Sequence, residues 1–162
     1  MKNLLKIAFL SVFAFGAIMI PQSADAAPAR EPGAAFADVE GKEWLLAEVR
    51  VGGKTIVMDR QKLALDNFIG IYSMNFQNAR LSGMGAPNRY TAPYTADANR
   101  SLNIGLVAST MMAAFREPDG LAETEFFNYL SKARRWDLNG GKLEIYSSNS
   151  NGSEAVLIFN QR

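Results

Sequence analysis

Apolar residues in this chain alternate with polar ones through many short runs, and only one stretch carries the three-to-four spacing of a helix. Glu43 to Val51 (EWLLAEVRV) and Lys54 to Val57 flank Gly52-Gly53. That is the chemistry of a two-residue hairpin turn, because glycine accepts the positive φ angles such a turn demands. Trp44 is the natural core anchor of the first strand. Ile71 to Phe76 places Tyr72, Met74 and Phe76 on one side, and Gln77-Asn78-Ala79 turns the chain into Arg80-Leu81-Ser82. Tyr90 and Tyr94, with Ala92 between them, share one face of an extended segment, and Leu102, Ile104 and Leu106 alternate in the same way. Asp59 to Asn67 fits either a helical turn or an irregular loop.

The helix is expected between Asp119 and Arg135. Asp119 can cap its start, Glu123 lies near the positive end of its dipole, and Lys132, Arg134 and Arg135 gather at the negative end. Phe126, Leu130 and Ala133, flanked by Phe127, form its core-facing stripe. Strands return after it: Trp136 to Leu138, a turn at Asn139-Gly140-Gly141, Leu143 to Tyr146, a turn at Asn151-Gly152, and Ala155 to Phe159. Asn-Gly between alternating runs is a strong hairpin signal, so this end reads as a three-stranded meander. The expected fold class is α+β: a strongly curved antiparallel sheet, a half-barrel of about 7–9 strands, packed on one long α-helix.

The first residues read differently. Lys2 and Lys6 precede an apolar run from Ile7 to Ile20, which leads to Ala24-Asp25-Ala26. A basic start, a run too short for an ordinary membrane span and small residues at the cleavage positions describe a signal peptide, residues 1–26, cut after Ala26. Residues 27–38, rich in Ala and Pro, follow as a flexible lead-in, and residues 39–162 form the domain. A periplasmic or secreted protein is expected, with no membrane anchor after cleavage, since the chain has no cysteine to carry a lipid.

Composition narrows the chemistry. The chain has 17 Lys and Arg against 16 Asp and Glu, and loss of Lys2, Lys6 and Asp25 with the leader leaves 15 of each. Nucleic acid is therefore not an expected partner, because its recognition rests on clustered cations. Histidine is absent along with cysteine, which excludes Ser-His-Asp and Cys-His nucleophile systems and His-based zinc sites. No catalytic residue, metal or cofactor is expected.

Trp44-Leu45, Ser82-Gly83, Asn88-Arg89-Tyr90, Ile104-Gly105, Thr110, Met112 and Glu123-x-x-Phe126-x-x-x-Leu130 follow one another in a set order. That order resembles the META domain of HslJ-like heat-shock envelope proteins across Val39 to Phe159. The resemblance implies a curved antiparallel sheet holding a helix, similar in shape to small lipid-binding or secretin-pilot proteins, and a setting in envelope stress. Two departures matter. The family pattern has two cysteines where this chain has Pro87 and Ala114, so a redox role drawn from the pattern fails here.

The candidate side chains divide by chemistry. Gly83 and Gly85 describe a tight turn or bulge, since a phosphate loop would need a following Lys and helix. Asn88 suits a turn, whereas Arg89 can pair with a carboxylate or a ligand anion. Met111 and Met112 point to opposite faces of a strand, so at most one can join Met84 on a soft metal ion, and gap-filling core methionine is the preferred reading. Glu123 and Glu125 diverge around a helix and suit dipole and solvent roles. The leading expectation is a non-enzymatic binder of an unknown protein or apolar ligand, in a groove edged by Arg89, Tyr90 and Tyr94. The alternatives are a secretin-pilot-like assembly factor, or a hydrolase using two of Asp97, Asp119, Glu123, Glu125, Asp137 and Glu144.

Overall fold

The computed structural model describes residues 35–113, 118 and 120–162. The leader with its cleavage point after Ala26, the lead-in up to residue 34, Ala114 and the Asp119 cap lie outside the described residues. The strands are β1 (Glu43–Val51), β2 (Lys54–Val57), β3 (Ser73–Gln77), β4 (Arg80–Met84), β5 (Arg89–Ala96), β6 (Leu102–Ile104), β7 (Ala108–Ser109), β8 (Arg135–Asn139), β9 (Lys142–Ser148) and β10 (Glu154–Gln161). The helices are α1 (Arg60–Leu65) and α2 (Glu123–Ser131). Asp59 resolves the ambiguity of its segment in favour of a helix: its Oδ1 accepts the Gln61 and Lys62 amides, each at 3.0 Å, satisfying donors that a helix start leaves open.

All pairings are antiparallel, in the order β6-β5-β4-β3-β1-β10-β9-β8, with β2 on β1 and β7 on β5. The sheet goes further than a half-barrel, because its two ends meet. Ser101 bridges Arg135, the Leu102 amide donates to the Arg134 carbonyl at 3.1 Å, and the Trp136 amide donates to the Arg100 carbonyl at 2.9 Å. Side chains lace the same seam. Buried Asp137 accepts from Arg100 at 2.6 Å and from Arg135 at 3.3 Å. The Arg100 guanidinium lies 4.6 Å from the Trp136 ring centre, and that of Arg135 lies 3.5 Å from the ring centre of Tyr146. The result is a nearly closed barrel.

The long helix expected from Asp119 to Arg135 is nine residues instead, Glu123 to Ser131, with Ala122 at its N-cap in extended conformation. Its C-terminal basic residues serve the sheet. Arg134 donates its amide to the Tyr146 carbonyl and Arg135 opens β8, so seam pairing overrides the helical tendency of the run. Phe126, Tyr129 and Leu130 are the buried face of α2.

Alternation along the strands fills the barrel. Trp44, Tyr72, Phe76, Phe126, Trp136 and Phe159 are all fully buried, each contributing on the order of 2–3 kcal/mol of apolar burial. Phe36, in a 3₁₀ turn (Phe36–Asp38), packs edge-on against Phe76 and Trp136, so the packed domain begins ahead of the expected Val39. One expected alternation breaks. Tyr94 pairs with Ile104, but Thr91 pairs with Ala108 and Tyr90 with Ser109, so the edge strand gains a residue between the two pairings. That extra residue is a bulge, and it turns Leu106 outward to 87% exposure.

Candidate functional site

Four residues of the family resemblance meet at one point: Thr110, Met112 and Glu123 all bond Asn88, a buried side chain whose amide makes four hydrogen bonds. Its Nδ2 donates to Glu123 Oε2 at 2.6 Å and to the Met112 carbonyl at 3.2 Å, while its Oδ1 accepts the Thr110 hydroxyl at 2.8 Å and the Met112 amide at 2.7 Å. Glu123 Oε1 accepts two backbone amides, from Ala86 at 2.5 Å and Asn88 at 2.7 Å. The carboxylate therefore holds the loop between β4 and β5, which includes a cis Ala86–Pro87 bond. Gly85 makes this approach possible: a Cβ there would lie 2.5 Å from Glu123 Oε1 and 2.8 Å from the Phe127 ring. Asn88 and Glu123 are structural, and Glu123 does more than complement a helix dipole.

Gly83 serves a second close approach. Tyr90, buried and paired opposite it, donates its hydroxyl to the Ser73 carbonyl at 2.9 Å, and the Met84 amide turns to Ser73 Oγ at 3.3 Å. A Cβ on Gly83 would overlap the Ser73 carbonyl oxygen and sit 2.8 Å from the Tyr90 hydroxyl. Tyr94 is buried too, on the same face as Tyr90, with its hydroxyl on Glu40 Oε1 and its ring edge-on to Phe76. Trp44 donates Nε1 to the Val39 carbonyl at 3.0 Å. Phe126 and Leu130 are buried where the sequence places them.

Burial holds the phenols of Tyr90, Tyr94 and Tyr129 well above the ordinary tyrosine range; in the last two, hydrogen bonds to Glu40 and Glu125 add to it. A raised folded-state pKa means stability is fully present below the unfolded value of about 10 and is lost as pH rises beyond it. Stability to urea is thus expected to be insensitive to these groups at neutral pH and to fall steeply above about pH 10. Tyrosinate absorbance should rise together with loss of the folded circular dichroism signal; ionisation of all the tyrosines at their ordinary pKa in a folded chain would contradict this.

Arg89 stands apart. Strand alternation turns its side chain away from Tyr90, Ala92 and Tyr94 to the outer surface, where the guanidinium is exposed and has no hydrogen bond or ion pair among the described residues. It lines an open depression of about 600 Å³, together with Ile69, Asn75, Ser82, Met84 and the Glu43–Arg162 ion pair. Tyr90 also touches this depression, while Tyr94 borders a different one with Phe36 and Glu40. The three side chains proposed for one groove are thus divided: Arg89 outside, Tyr90 and Tyr94 in the core.

Of the carboxylates offered for hydrolysis, Asp119 lies outside the described residues and the others are individually engaged. Asp97 accepts the Asn99 and Ser101 amides, Glu125 the Tyr129 hydroxyl, and Glu144 the Tyr146 hydroxyl. Asp137 and Glu144 are cross-strand partners, yet Asp137 sits between two arginines. Among the described residues no group of three or more acidic side chains is placed to hold a metal ion. The methionine reading needs correction: Met111 and Met112 do not fill the core but are 99% and 61% exposed. Sequence reasoning missed Ser73 and Glu40 as acceptors, and nothing in their local pattern marks them.

Comparison with known proteins agrees with this geometry. The META domain model matches residues 37–161. A protein from Burkholderia xenovorans, solved by NMR, superposes with a TM-score of 0.63 at 20% identity, covering 89% of this chain and 97% of its own. A DUF4847 family protein from Bacteroides vulgatus superposes with a TM-score of 0.51 at 12% identity, covering 77% of this chain and 95% of its own. At these identities the two structures speak to the fold alone. No curated protein sequence matches the chain. With Thr110, Met112 and Glu123 gathered on Asn88 in a barrel of this topology, and the family model spanning nearly the whole described domain, the chain belongs to the META domain family.

Proposed function

We propose that this chain is an exported, non-enzymatic META-domain protein that acts by binding in envelope stress protection, and that it engages its partner on the outside of the barrel. The observation that carries this reading is the contrast between a barrel interior filled by aromatic side chains and an outward-facing Arg89 guanidinium, without a partner among the described residues, beside an open depression. Among the described residues, the aromatic side chains occupy the interior that an apolar ligand would need. An uncommitted guanidinium beside Ile69 and Met84 suits a carboxylate or phosphate attached to an apolar body, since arginine pairs with such anions through two parallel hydrogen bonds. The engagement of Glu123, Glu125 and Glu144 by their own donors supports the non-enzymatic part.

Native mass spectrometry of protein purified from its own periplasm tests this, followed by a panel of fatty acids, phospholipids and peptides. Arg89→Ala is expected to weaken capture of the bound species by about tenfold, the loss of one charged hydrogen-bonding partner, with an unchanged unfolding midpoint. Retention of the ligand by the variant, or nothing bound by either protein, would count against an Arg89 site. Normal survival of a deletion strain under heat and antibiotic challenge would count against the stress role.

A further inference from the structure

Sulfur side chains are the readiest targets of mild oxidants, and this chain has no cysteine, so methionine carries all of its sulfur. Burial divides the methionines sharply. Met74 is fully buried and Met58 is 5% exposed, Met84 is half-buried, and Met111 and Met112 are 99% and 61% exposed. The indoles of Trp44 and Trp136 are hidden in the core as well. The backbone holds the exposed pair outward. The Thr110 amide donates to the Arg89 carbonyl at 3.0 Å, and Met112 donates its amide to Asn88 Oδ1 at 2.7 Å and accepts from Asn88 Nδ2 through its carbonyl at 3.2 Å. Met111 is therefore pinned on both sides by bonds that involve neither thioether, and neither methionine side chain packs against the core. A sulfoxide, polar enough to disrupt a core, costs the fold little at these two positions.

We infer that Met111 and Met112 form a reversible oxidation site, at which a peroxide is reduced without loss of the fold. A lone pair on Sδ attacks one oxygen of hydrogen peroxide. The S–O bond forms as the O–O bond breaks, sulfur gives up an electron pair, and the departing hydroxide takes the proton of the transferred oxygen and leaves as water. A methionine sulfoxide reductase reverses the change: its thiols become a disulfide and the oxygen leaves as water. Exposure serves both halves of this cycle. The thioethers are open to the oxidant, and the sulfoxides are open to the reductase while the barrel stays closed. Met58 and Met74 have neither access, because solvent reaches them only when the chain opens. The site is separate from the Arg89 depression, which neither Met111 nor Met112 lines.

Treatment of the folded mature chain with hydrogen peroxide tests this, with oxygen uptake at each methionine read by peptide mass mapping. Met111 is expected to react at the rate of free methionine, and Met111 and Met112 at least about tenfold faster than Met58 and Met74. In urea these four should react alike, since burial and not local sequence sets their order. The unfolding midpoint should be unchanged once Met111 and Met112 have reacted, and methionine sulfoxide reductases for both epimers should restore the original mass without denaturant. The M111L/M112L variant keeps the apolar bulk; it should unfold like the parent and lose the fast uptake. Equal rates at the four methionines of the folded chain, a midpoint lowered by oxidation at the exposed pair, or sulfoxides that the reductases remove only from unfolded chain would each overturn the inference.

Discussion

Replacing Gly83 with alanine is expected to remove most of the stability of the domain, about 4 kcal/mol or more, and to leave little soluble protein. The reason is local and specific. The missing Cβ at Gly83 is the space in which the Ser73 carbonyl and the Tyr90 hydroxyl meet, and the nearer obstacle is backbone rather than a side chain that could rotate away. Tyr90→Phe by itself should cost only about 1–2 kcal/mol, for one buried hydrogen bond lost. It should also fail to rescue Gly83→Ala, since removing the hydroxyl leaves the Ser73 carbonyl in place. Urea unfolding of the three variants decides the matter: rescue by Tyr90→Phe would mean that the phenol, and not the β3–β4 backbone, limits the space.

Glu123→Ala is expected to cost about 4 kcal/mol, because it leaves three donors in a buried setting without an acceptor: the amides of Ala86 and Asn88 and the side-chain amide of Asn88. Glu123→Gln should cost about half as much. Its oxygen can still take the two backbone amides, but its own NH₂ then faces Asn88 Nδ2, and turning Asn88 over would set that NH₂ against the Met112 amide. The same variants should loosen the segment around Thr110 to Met112, seen as faster amide exchange there than in β9 or β10. If Glu123→Ala unfolds like the parent, the carboxylate is a surface group after all and the hub is dispensable.

Most of the strands were legible because their signals are local. Gly52-Gly53 and Gly140-Gly141 adopt the positive φ angles expected of two-residue hairpin turns, and Tyr72, Met74 and Phe76 are buried together as their spacing implies. What was not legible depended on distant partners. Arg134 and Arg135 have every local property of a helix end, yet β9 and the Arg100–Leu102 segment claim them for the seam. Leu106 continues a perfect alternation on paper, but one inserted residue, visible only against Pro93 and Thr91, sends it outward. At the candidate site the motif named Asn88, Thr110, Met112 and Glu123 without saying that they touch. Arg89, read as able to pair with a carboxylate or a ligand anion, lies on the outer face of β5, while Tyr90 and Tyr94, grouped with it for one groove, face the other way.

The pairing of β1 with β10 has a consequence for how the chain reaches this state. Glu43 and Arg162 are 119 residues apart in sequence yet joined at the centre of the sheet. Neither β1 nor the barrel seam can be completed until the last strand has been made, so closing the ring is a late, long-range event with a high loop-closure cost. Until then β1 offers an open edge in the middle of the future sheet, with Trp44, Leu46 and Val49 uncovered. Loss of even a few C-terminal residues should therefore yield a chain that aggregates instead of a slightly shorter domain.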